Sequence, residues 1–174
     1  MRKGQVIYSF LLVGALAGGN AYAQNLNRPD QRFVQTAAQG GLAEVKLGQL
    51  AQEKGASQTV KDFGSRMVAD HSKANDKLKE IASSKNVSVP DSLSSKDQAL
   101  YDRLSKLSGP QFDREYMRSM VRDHEQDVAM FSRESQSASD SAIKDFASNT
   151  LPTLEEHLKL AQEDNSKLAS RAAK

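Results

Sequence analysis

Three histidines, His71, His124 and His157, are the residues of this chain best suited to coordination chemistry, and each stands beside a carboxylate: Asp70, Asp123 and Glu156. A neutral imidazole is a common protein ligand for a transition metal, and a nearby carboxylate either joins it or fixes the ring's tautomer. The chain contains no cysteine. Thiolate metal sites, thiol nucleophiles and disulfide frameworks therefore drop out together. A Gly-x-Ser-x-Gly elbow, a Gly-Lys-Ser/Thr phosphate loop and a dinucleotide fingerprint are also missing. No catalytic residue can be assigned on this basis, and no organic cofactor is expected.

The elements that must position the histidines are helices. Four long stretches carry helical periodicity: about Asp30 to Lys54, Ser57 to Ser84, Pro110 to Gln136, and Ser139 or Asp140 to Ser170. Asp30 is the expected N-cap of the first and Gly55 its stop. A short fifth helix is expected over roughly Ser95 to Leu107. The joins near 55–57 and 137–140 are short and force antiparallel neighbours. About twenty-five residues separate the second and third long helices, where a bundle turn needs only ~2–8. Two antiparallel hairpins joined by a long crossover that carries a short extra helix is the ferritin-like form of the all-α four-helix bundle.

Each helix has one core-facing seam. The first reads Phe33, Ala37, Gly40, Glu44, Leu47, Ala51, and the second Val60, Phe63, Met67, His71, Ala74, Leu78, Ile81. The third reads Tyr116 or Met117, Met120, His124, Val128, Phe131, and the fourth Ile143, Phe146, Thr150, Leu154, His157, Ala161, Leu168. Every seam carries one ionisable residue near its middle. Counting from the turns, these four groups differ in height by roughly 4–8 Å, a mismatch that tilt and side-chain reach can absorb. Buried imidazoles and a carboxylate are costly unless paired with one another, with water or with a cation. The expected metal ligands are Glu44, His71, His124 and His157, with Asp70 and Asp123 as reserve ligands or orienters. An imidazole-rich, carboxylate-poor set suits a single Zn, Fe, Cu or Ni ion. The competing reading is a purely structural polar layer that fixes hairpin register in an envelope or stress protein binding a partner.

Two internal echoes accompany the seams. Phe63-x-x-x-Met67-Val68-x-Asp70-His71 recurs as Tyr116-x-x-x-Met120-Val121-x-Asp123-His124, and Val60-Lys61-Asp62-Phe63 recurs as Ile143-Lys144-Asp145-Phe146. Pro152 falls inside the fourth long helix, where it removes a backbone donor and is expected to kink the helix before His157. Gly40, Gly41 and Gly48 weaken the first helix and are expected to permit close helix contact.

The chain has 174 residues with 24 Lys+Arg against 22 Asp+Glu, a net charge of +2, and so lacks the localised basic excess of a nucleic-acid-binding module. Its start reads as an address. Arg2-Lys3, the apolar run Val6 to Ala17 and Ala21-Tyr22-Ala23 form the three parts of a cleavable signal peptide. Residues 1–23 are expected to be removed, leaving 24–174 as one domain in the periplasm or outside the cell, with peripheral outer-membrane association open. The mature chain offers no apolar run near the ~20 residues of a transmembrane span. A protein partner or a second copy of the chain is compatible with it.

Glu44 within Ala43-Glu44-Val45, the two Met-Val-x-Asp-His units and Leu151-Pro152-x-Leu154-x-x-His157 resemble an exported bacterial family catalogued as domain of unknown function 4142, often labelled as outer-membrane proteins and considered ferritin-like. The resemblance covers roughly Gln31 to Leu168 and implies a bundle and an envelope location, without a reaction. Di-iron members of the wider ferritin-like class use Glu-x-x-His pairs. Here Val68 and Leu154 stand where those glutamates belong. Ferroxidase activity and iron storage are therefore not implied.

Overall fold

The computed structural model describes residues 25–172, with side chains to residue 170; the expected signal peptide over 1–23 lies outside them. The chain forms an all-α bundle of five helices: α1 Arg28–Lys54, α2 Gln58–Ser84, α3 Ser95–Ser105, α4 Gly109–Ser137 and α5 Ser141–Ala172. Four of the starts are marked by a side-chain acceptor for the otherwise unbonded first-turn N–H groups. Asn27 Oδ1 accepts from Asp30 N at 2.8 Å, Ser57 Oγ from Val60 N at 3.3 Å and Ser94 Oγ from Asp97 N at 3.1 Å. Asp140 Oδ1 accepts from Ala142 N and Ile143 N at 3.0 and 3.3 Å. The start of α4 has no such cap; Gly109 turns the chain there with φ +61°, a conformation open to glycine, and Pro110 follows. The α5 helix runs unbroken through Pro152.

The cap of α1 differs from the expected one. Asn27 fills that position, three residues before Asp30, because the Asp30 carboxylate is engaged across the molecule. It accepts from the backbone N–H groups of Ser139 and Asp140 at 3.3 and 2.8 Å, in the α4–α5 turn. Asp113, near the start of α4, does the same for the other hairpin, accepting from Ala56 N and Ser57 N at 2.8 and 2.9 Å in the α1–α2 turn. Both aspartates are buried. The two clasps are related by a constant shift of 83 residues, which also relates Ser57 to Asp140, Phe63 to Phe146 and Glu44 to Asp127. One hairpin is thus the approximate image of the other, and each is tied at its turn to the first helix of its counterpart.

These clasps set direction. The start of α4 lies against the α1–α2 turn, so α2 and α4 begin at the same end of the bundle. The α1 helix packs along α2 and α4 along α5, while α2 meets α5 and α1 meets α4 across the join; α3 lies over α1 and α4. Leu104 anchors α3 by complete burial. Within the first hairpin the backbones approach closely at one point. A Cβ on Gly48 would stand 2.7 Å from the Gly64 carbonyl oxygen, and a Cβ on Gly64 would stand 2.7 Å from the Gly48 oxygen. Gly40, by contrast, has no crowding neighbour: an added Cβ would make one ordinary contact, 3.9 Å from Asp127 Oδ1. Close helix packing explains Gly48 and does not explain Gly40.

The apolar interior falls into two clusters. One gathers Phe33, Ala38, Leu78, Phe131, Phe146 and Leu154, and the other Leu47, Phe63, Met67, Tyr116, Met120 and Ala161. On every long helix the break between them coincides with the polar residue of the seam, so Glu44, His71, His124 and His157 form a layer across the middle of the core.

Candidate metal centre

His71, His124 and His157 come from three helices, and all are buried. Their rings face one another with centroids 5.7 Å apart for His71–His124, 5.4 Å for His71–His157 and 5.4 Å for His124–His157. One ring nitrogen of each lies within 4.8 Å of those of the other two. The height mismatch expected from counting residues is absorbed. Parallel starts put His71 and His124 at similar depths along α2 and α4, and His157 reaches the same level from the opposite direction.

Hydrogen bonding fixes which nitrogen is available on two of the three rings. His124 Nδ1 donates to the Met120 carbonyl oxygen, one turn earlier, at 3.0 Å, which leaves a lone pair on Nε2. His157 Nε2 donates to Asp70 Oδ2 at 2.9 Å, which leaves the lone pair on Nδ1. His124 Nε2, His157 Nδ1 and His71 Nε2 are each buried with no partner in the protein. Three buried ring nitrogens without a partner, two of them fixed as acceptors, are what a cation would satisfy. Ligation at ~2.0–2.1 Å in a tetrahedral or trigonal site sets nitrogens roughly 3.3–3.6 Å apart, so the rings need to close by about an ångström.

Burial keeps all three rings neutral, the form that ligates. Desolvation pushes His71 well below its usual range, helped by His124 and His157. Desolvation, with His157 beside it, lowers His124 to about 4, against the opposing Met120 hydrogen bond. His157 is lowered by desolvation too, although Asp70 pulls the other way.

The remaining expected residues are placed differently. Asp70, on α2, does not join the imidazole group; it holds the His157 ring in its tautomer. Glu44 Oε1 lies 3.9 Å from His124 Nδ1, too far for a hydrogen bond and on the ring edge already committed to Met120. Asp123, beside His124 in sequence, turns from the imidazoles toward a cavity of about 600 Å³ bordered by α1, α3, α4 and the crossover, which Glu44 also lines. Its nearest cation is Arg122, at 3.6 Å. Desolvation raises the Glu44 carboxyl well above its usual range, reinforced by Asp127, Asp123 and Asp97. A second cleft, of about 530 Å³ between α2 and α5, reaches His71 and His157 and is the open approach to the imidazoles. A void of about 20 Å³ beside His71 and Asn75 has room for about one water.

Asp127 is a site residue that the seam pattern does not single out. Its only signal is its place one turn after Asp123 on the polar flank of α4, where desolvation and Asp123 lift its carboxyl to about 7.

Comparison with known proteins agrees with this arrangement at the level of fold. The profile of one family, described as Domain of unknown function (DUF4142), matches residues 15–163. No curated protein matches the sequence. Among solved structures, a DUF305 fragment from Deinococcus radiodurans is similar with a TM-score of 0.73 at 16% identity, over 82% of this chain and 99% of that one. A protein described as CopM in the Cu(I)-bound form is similar with a TM-score of 0.65 at 17% identity, over 77% of this chain and 93% of that one. Among the described residues, no helix is long and apolar enough to cross a membrane.

Proposed function

Because the chain belongs to the DUF4142 family, whose description carries no reaction, we propose its function from the site itself: it binds a single transition-metal ion through His71, His124 and His157. The observation that carries this reading is the set of three buried, partnerless imidazole nitrogens gathered from three helices. Asp70 and the Met120 carbonyl serve as orienters, each fixing the tautomer that turns a lone pair to the centre. Glu44 and Asp123 stay outside the ligand set.

Three neutral imidazoles with no thiolate accept Zn, Cu, Ni or Fe(II), and the ordinary ligand-field order ranks Cu(II) above Ni(II) and Fe(II). The likeness of the fold to a Cu(I)-bound protein makes Cu(I) a further ion to test. The reading includes a ferritin-like disposition of the four long helices, supported by the two short turns and the long crossover. It also places the protein in the periplasm or outside the cell, on the strength of the leader pattern in residues 1–23.

The experiment is metal analysis of the purified protein followed by calorimetric titration of Zn, Cu, Ni and Fe(II) into the wild type and His71→Ala. One ion per chain is expected, with affinity falling by about a hundredfold or more on loss of one ligand. Identical titrations for the two proteins would reduce the imidazole layer to a structural device.

A further inference from the structure

The acidic cavity on the α1–α4 side adjoins the imidazole layer at Glu44, whose Oε1 lies 3.9 Å from His124 Nδ1, but none of the three imidazoles lines it. Four carboxylates border it, Glu44, Asp97, Asp123 and Asp127, against the single ammonium of Lys96. Glu44 is 3% exposed, and its Oε2 has no hydrogen-bond partner. Asp97 is partly engaged, since the Ser94 hydroxyl donates to its Oδ2 at 2.6 Å. Carboxylates gathered this way, one of them buried with an unused acceptor, are costly without a counter-charge.

Size and spacing decide what kind of cation fits. A bare metal ion needs oxygens converging at ~2.0–2.6 Å. Among the described residues, however, only the three imidazoles bring ligand atoms within 4.8 Å of one another as a group of three. The cavity, at about 600 Å³, falls within the ~300–1,000 Å³ of small-molecule sites. Besides its acids the wall carries apolar side chains, Leu47, Val89 and Leu100 among them, together with the amides of Gln35, Gln39 and Gln126. Ammonium groups for the acids and a methylene stem for the apolar side chains describe one ligand class.

We propose that this cavity binds a linear aliphatic amine or diamine, with an ammonium donating to Glu44 and Asp127 and its carbon chain lying along Leu47 and Leu100. The proposal does not rest on the metal reading, because neither ligand class needs the other.

Its test is calorimetric titration of the full chain with cadaverine, a five-carbon diamine, and separately with Ca²⁺. One cadaverine per chain is expected, bound more weakly as salt rises. Glu44→Gln and Asp127→Asn should each weaken it by about thirtyfold, the usual loss when one partner of a buried charge pair is neutralised. Gly40→Leu guards against misfolding as an explanation. It extends a side chain into the cavity from a helix position with no close neighbour, removes no charge and favours the helix. It should block cadaverine while leaving metal affinity at the histidines unchanged. No cadaverine binding at millimolar concentration would overturn the proposal, as would binding that Gly40→Leu, Glu44→Gln and Asp127→Asn all leave intact. Tighter Ca²⁺ binding that displaces cadaverine would assign the cavity to a hydrated divalent ion instead.

Discussion

At the scale of single residues, the candidate centre depends on two hydrogen bonds that leave the metal-facing nitrogens free. Asp70 is not one of the grouped ligand residues, yet its bond to His157 Nε2 selects the ring's tautomer. Asp70→Ala is therefore expected to weaken metal binding by about 10–100-fold, measured by competition with a chromophoric chelator, while all three imidazoles remain. The pH response follows from the same burial. His71, His124 and His157 have folded-state pKa values below the ordinary imidazole value, so the unfolded chain takes up protons first as pH falls. The stability these neutral rings retain above about pH 6.5 is lost on acidification, over a range that for His124 extends to about 4. Denaturant unfolding of the metal-free protein should show a lower midpoint at pH 5 than at pH 7. Glu44 has the opposite sign. Its raised pKa contributes stability below the ordinary carboxylate value, and that contribution disappears as pH rises through the folded value. Glu44→Gln should stabilise the ligand-free protein at pH 8 by about 1–3 kcal/mol and much less near pH 4, read by the same unfolding curves. The histidines were legible in the sequence because seam spacing marks buried helix faces. The partner of Asp70 was not. Adjacent helical residues point about 100° apart, so Asp70 turns away from His71 and meets His157, a pairing that only the docking of α2 on α5 creates.

At the scale of elements, the hairpins are held in register by carboxylates as well as by side-chain packing. Asp113→Ala strands two backbone donors, Ala56 N and Ser57 N, and Asp30→Ala strands two more in the other turn. Each substitution is expected to cost about 2–4 kcal/mol, since charge-assisted bonds to N–H groups contribute about 1.5–3 kcal/mol apiece and are not fully additive. Urea unfolding measures the loss, and Asn in place of Ala should recover part of it. The α1–α2 contact has its own sensitive point at Gly48, where an added Cβ meets the backbone oxygen of Gly64. Gly48→Ala gains helix propensity but has to separate the helices, and overpacking of this kind costs about 1–3 kcal/mol. A drop in melting temperature despite the better helix former is the expected result. Helix bounds were readable to within a few residues from caps and stops. The cap of α1 is Asn27 and not Asp30, because aspartate suits both an N-cap and a tertiary clasp, and local sequence does not distinguish them.

At the scale of the molecule, a polar layer divides one apolar core into two. Such a division weakens the bundle when empty, and the proposed ion would strengthen it, because an ion that binds only the folded chain shifts the unfolding equilibrium. At a thousandfold excess over its dissociation constant an ion adds about 4 kcal/mol. Thermal unfolding with and without a saturating ion, then with excess chelator, should show that rise and its reversal, and His71→Ala should abolish both. The hairpin topology was legible from connection lengths, two short and one long. The cavity beside Glu44 was not, because it exists only where α3 and the crossover stand off from α1 and α4, and no periodicity encodes a gap between elements.

The 83-residue correspondence between hairpins has a chemical consequence. It pairs His124 of α4 with Gly41 of α1, where Asn75 occupies the space a side chain would need. It likewise pairs His71 with Leu154 and His157 with Ala74. The donors therefore break the symmetry of the scaffold that carries them, an odd number of nitrogens on an even frame. If the proposed ion is four-coordinate, its last ligand would come from solution, and the centre would then receive water or a small anion instead of acting as a closed structural rivet.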